Sequence, residues 1–88
     1  MSADLQATAE EELDQALKLT WRQLSPLIPW GDTYVGIAIG GREVEMSRSY
    51  IWAEQEGGDI LCEVIVYAGE TRHDVGGRAS RLITKPGP

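Results

Sequence analysis

With 88 residues the chain is long enough for one hydrophobic core and too short for two. Its net charge of −6 opposes attraction to nucleic acid phosphates and anionic membranes, so neither is expected as a partner. Cys62 is the only cysteine, which excludes an intrachain disulfide and leaves a cysteine zinc site without its usual several thiolates.

Apolar residues make up 42% of the chain, yet none of them is Phe. Trp21, Trp30, Trp52, Tyr34, Tyr50 and Tyr67 therefore supply every large ring. Their polar tips suit a shallow core or an interface. Charge is unevenly placed: residues 1–32 and 33–69 each hold six acids and two bases, and residues 70–88 hold two acids and four bases. The first residues lack the basic start and apolar run of a secretion signal, and no segment has the length of a membrane span. A reducing, cytoplasmic setting is expected.

Leu13, Ala16, Leu17, Trp21 and Leu24 recur at spacings of three and four, which predicts one amphipathic helix ending at Ser25 and Pro26. Thr8 followed by Glu11 has the pattern of a capping box, placing the start near Ala9 with Glu10, Glu11 and Glu12 in the first turn. An earlier turn from Ser2 or Ala3 is the alternative start. Pro29 to Asp32 then form a stiff connection.

Residues 33–39 alternate, with Val35, Ile37 and Ile39 on one face and Tyr34, Gly36 and Ala38 on the other. Gly40 and Gly41 predict a two-residue hairpin turn, a register with Ile37 opposite Val44 and Val35 opposite Met46, and those four side chains turned inward. The second strand, from Arg42 to about Glu54, carries Val44, Met46, Tyr50 and Trp52 on the core face. Arg48 interrupts that row, at the rim of the core or beside a bulge at Ser47 and Ser49.

After a turn over residues 55–59, residues 60–68 form the most apolar strand. The charge-free stripe Ile60, Cys62, Val64 and Val66 is assigned to the helix side, which puts Leu61, Glu63, Ile65 and Tyr67 on the far side. Residues 68–71 read as a turn. Gly76 and Gly77 then interrupt the final strand segments, as a bulge or as the turn of a last hairpin. We expect a single α+β domain over residues 1–88, one N-terminal helix on an antiparallel α-β-β-β-β meander of about four strands. Residues 1–7 and 85–88 are expected to fray.

One helix can cover only one face of such a sheet. Tyr34, Ile51, Leu61, Ile65 and Tyr67 are therefore expected to form a partner-binding surface on the other. Arg72, His73, Arg78 and Arg81, around two glycines, are a candidate anion-binding set, although no phosphate-loop spacing is present and an edge strand guarded by basic residues reads better. His73 and Asp74 point to opposite faces of a strand and make a poor acid–base pair. Cys62 lies in an apolar stripe and reads as packing rather than as a nucleophile.

No cofactor, metal site or catalytic set is expected. The leading reading is a non-catalytic protein–protein interaction module, an adaptor, regulator or inhibitor that homodimerises through the outer sheet face. One alternative is a small-molecule-binding or enzymatic domain with a pocket between helix and sheet, lined by Trp21, Tyr50 and Trp52. The other is an acidic inhibitor of a nucleic-acid-binding protein, acting through Asp4, Glu10, Glu11, Glu12 and Asp14.

Overall fold

The structure, a computed structural model, describes residues 3–69 and 73–87. It has the predicted α+β architecture: helix α1 (Ala3–Ala16) lies across a four-stranded antiparallel sheet in the order β1-β2-β3-β4. The strands are β1 (Trp30–Ile37), β2 (Glu43–Trp52), β3 (Ile60–Tyr67) and β4 (Val75–Ile83). Between α1 and β1 stand a short helix α2 (Trp21–Leu24) and a 3-10 turn η1 (Ser25–Leu27). The expected turn over residues 68–71 falls partly, and the expected fraying at Met1, Ser2 and Pro88 wholly, outside the described residues.

The single predicted helix is two. α1 starts at Ala3 rather than near Ala9. Residues 3–7, expected to fray, form its first turns, with Leu5 fully buried. Leu5, Ala9, Leu13 and Ala16 make the apolar stripe, which packs chiefly on β3 and β4. Thr8 is not a cap. Its buried hydroxyl donates to the Asp4 carbonyl at 2.7 Å and accepts the Ile39 N–H at 2.9 Å, tying the β1–β2 turn to the helix. The capping box is at the second occurrence of the same pattern, Thr20 with Gln23, which starts α2 after a break over residues 17–20.

The β1–β2 register corrects the sequence expectation by one residue. Gly36 is opposite Val44 and Tyr34 opposite Met46, because the loop holds three residues, Ile39, Gly40 and Gly41, closed by the Ala38 N–H on the Arg42 carbonyl. Gly41 takes φ of +91°, the left-handed residue that three-residue loops require. A one-residue slip turns over every side chain of a strand. Tyr34, Gly36 and Ala38 thus face the helix, and Val35 and Ile37 face solvent at 62% and 64% exposure. Packing selects this register, since the Met46 methyl fills the space that a side chain at position 36 would need.

β2 and β3 follow the predicted pattern. Val44, Met46, Tyr50, Ile60, Cys62, Val64 and Val66 are all buried on the helix side. β4 is one strand with a register shift opposite Val66 and Tyr67, which makes Gly76 and Gly77 a bulge rather than a hairpin turn. Gly77 lies against the backbone of Leu5 and Gln6, so the first turns of α1 sit directly on the strand. Beyond β4, the Lys85 N–H donates to Asp59 Oδ1 at 2.9 Å.

Candidate interaction surface

The helix-free face of the sheet is set by the strand registers. Ile51, Leu61 and Leu82 stand side by side across β2, β3 and β4 at one end. Ile51 and Leu82 are 42% and 53% exposed, and Leu61 is half-buried. At the other end Val35 shares a row with Glu45, Tyr67 and Val75, and Ile37 lies beyond it. Between the two ends runs a polar belt of Ser47, Ser49, Glu63 and Ser80, in which Arg78 Nε approaches Glu63 Oε2 at 3.9 Å. The face therefore has an apolar row at one end, a largely polar middle interrupted by Ile65, and exposed Val35 and Ile37 beside Glu45 and Glu43 at the other end.

Of the five residues expected there, Ile51, Leu61 and Ile65 are on this face, Ile65 half-buried between Ser47 and Arg78. Tyr34 is not. The register slip turns it toward the helix, where its hydroxyl donates to Glu12 Oε2 at 3.0 Å. Tyr67 is on the face yet only 7% exposed, its hydroxyl 3.2 Å from Ser47 Oγ. The bulge opposite it increases the local twist of this corner of the sheet. Val35 and Ile37 were missed through the same slip, and Leu82 because two glycines hid the phase of β4.

On the helix side a charged residue, Arg48, interrupts the apolar stripe of β2. Arg48 lies between Val64 on β3 and Asp32 on β1, with its guanidinium carbon 5.3 Å from the Trp30 ring centre and 6.0 Å from that of Tyr34. Its Nε is enclosed and has no hydrogen-bond partner among the described residues. Burial first, then the bond to Glu12, pushes the Tyr34 hydroxyl up to about 12 despite the opposing charge of Arg48.

Among the described residues the candidate anion-binding set is not brought together. Arg72 lies outside the described residues. Arg78 pairs with Ile65 in the helix-free phase and Arg81 with Cys62 in the helix-side phase, so the two point to opposite faces, and His73 is exposed in the turn before β4. Cys62 is fully buried, and burial pushes its thiol up to about 11.

The rings expected to line a pocket are engaged in packing. Trp21 and Trp52 lie 6.2 Å apart, the Trp21 indole donates to the Gly58 carbonyl, and the buried Tyr50 hydroxyl donates to the Ala16 carbonyl. Surface grooves of about 300 and 360 Å3 lie at Ala53–Asp59 with Leu82, and between α1 and β4. Among the described residues no three His, Cys, Asp or Glu side chains gather as metal ligands, and no helix is long and apolar enough to cross a membrane. Comparison with protein families, with curated proteins and with solved structures finds no match.

Proposed function

We propose that the chain is a non-catalytic protein–protein interaction module, an adaptor, regulator or inhibitor of the cytoplasm, that pairs with a second copy through the helix-free face of its sheet. The observation that carries the reading is the row Ile51, Leu61 and Leu82. These three apolar side chains stand together across three strands on the face that α1 leaves uncovered. Such a cluster gains by leaving water at roughly 25 cal/mol per Å2 of apolar surface. The test is sedimentation of a variant carrying both Ile51→Glu and Leu82→Glu. Loss of self-association at an unchanged melting temperature supports the reading, and undiminished association removes it.

A second reading, a small anionic ligand, draws on Arg48. Its guanidinium lies beside two rings, and among the described residues its enclosed Nε has no acceptor, so a carboxylate that opened this corner of the sheet would meet a matching donor. A rise in melting temperature with simple carboxylates that is lost in Arg48→Met would favour it.

A further inference from the structure

The open sheet has two outer edges, and the fold treats them differently. On β4 the Arg78 N–H donates to Gln6 Oε1 at 3.0 Å and the Arg78 carbonyl accepts from Gln6 Nε2 at 2.8 Å. A side-chain carboxamide from α1 thus occupies both main-chain groups of one outward residue of β4, Arg78, which a further strand would use. The bulge at Gly76 and Gly77 and the cations Arg78 and Arg81 guard the same strand.

β1 carries no bulge and no cation, and its side-chain capping is lighter, one Asp32 carboxylate on one outward N–H. Its register with β2 is unbroken over all eight residues, and Trp30–Ile37 contains no proline, lysine or arginine and a single charge, Asp32. The bond from the Ala38 N–H to the Arg42 carbonyl at 2.8 Å fixes the phase of the ladder. Alternate residues of an antiparallel strand bond to the same neighbour, so even-numbered residues of β1 face β2 and odd-numbered ones turn their main-chain groups outward. Gly31, Val35 and Ile37 are outward and exposed. The Thr33 N–H is held by Asp32 Oδ1 at 2.9 Å.

We propose that β1 is the seam of a two-fold homodimer, pairing antiparallel with β1 of a second copy to make one continuous eight-stranded sheet. A second copy fits because its edge has the same length, regularity and near-neutrality. The register centred on Tyr34 keeps the pairing inside both strands. Gly31 then lies opposite Ile37, Val35 opposite Thr33, and Asp32 opposite Gly36 of the other copy. The two Asp32 are separated by roughly 13 Å along the seam, more than the screening length of about 8 Å at physiological salt. Tyr34 meets its counterpart at the axis, an aromatic cross-strand pair. The bulge, the cations and the Gln6 contact disfavour pairing at β4, so assembly through β1 closes at two. The proposal rests on self-association, as the proposed function does, but assigns it to another surface.

Proline discriminates between the two. Val35→Pro removes an outward N–H and no bond to β2, so the chain keeps its fold while the seam loses a donor and gains a steric block. Sedimentation equilibrium is expected to show a dimerisation constant weakened by roughly tenfold or more, with circular dichroism and the urea midpoint close to the parent. Amide hydrogen exchange is the second measurement and needs no variant. At concentrations where the parent dimerises, Gly31, Val35 and Ile37 are expected to become protected relative to dilute protein. A parent that stays monomeric, unchanged association in a folded Val35→Pro, or unprotected amides at those positions would overturn the seam. If association survives Val35→Pro and is lost in the Ile51→Glu, Leu82→Glu variant, the face reading stands and the edge falls; the reverse result has the opposite meaning.

Discussion

The Tyr34 hydroxyl and the Glu12 carboxylate meet across the opening between α1 and β1, and the bond needs the phenol to keep its proton. Tyr34 rises from the ordinary 10.0 to about 12 in the fold. Its contribution to stability is thus complete below about pH 10 and is lost as the pH climbs through about 12, because the unfolded chain releases that proton first. Tyr34→Phe is expected to cost about 1 kcal/mol at neutral pH and to lose less stability than the parent between pH 8 and pH 11. Urea unfolding at the two pH values checks both. Arg48 gives the converse case. Among the described residues its enclosed Nε has no acceptor, which costs on the order of 1 kcal/mol or more, against about 0.5–1 kcal/mol gained beside the rings. Arg48→Met, which keeps the apolar length, is expected to unfold at an equal or higher urea concentration.

Among the elements, α1 depends on the bare backbone of β4. A Cβ at position 77 would strike the Leu5 carbonyl and the Gln6 backbone, neither of which can turn aside. Gly77→Ala is expected to lose about 2–3 kcal/mol and lower the melting temperature by roughly 10 °C or more, whereas Gly87→Ala, with open space around it, should change little. The same closeness explains what the sequence concealed. β2 and β3 were legible because each has one stripe free of acids, and such a stripe settles its own facing. β1 was not, because Gly40 and Gly41 are compatible with loops of two or three residues, and the choice rests on Met46, Thr8 and the helix, all distant in sequence. The helix break was hidden by two copies of one capping pattern, at Thr8 and Thr20, of which only tertiary packing selects the second. Ile51, Leu61 and Ile65 were placed correctly because their strands were. Tyr34, Val35 and Ile37 were misplaced together by a single step of register.

For the whole molecule, two copies that each carry a net charge of −6 repel when they meet. Self-association through an apolar face or a nearly neutral seam is therefore expected to strengthen, roughly severalfold, between low and physiological salt. Inhibition of a nucleic-acid-binding protein through the acidic helix would weaken over the same range, and a salt series by sedimentation tells the two apart.

The Gln6 carboxamide, a modest pair of hydrogen bonds on the Arg78 backbone, then acquires a role out of proportion to its energy. It works as a stopper. In Gln6→Ala each molecule would offer pairing groups on both flanks, and addition of one molecule would leave a fresh flank for the next. Such growth has no natural end. The expected outcome is a protein that still melts cooperatively yet scatters light increasingly on standing, with dye-binding fibrils that the parent does not form.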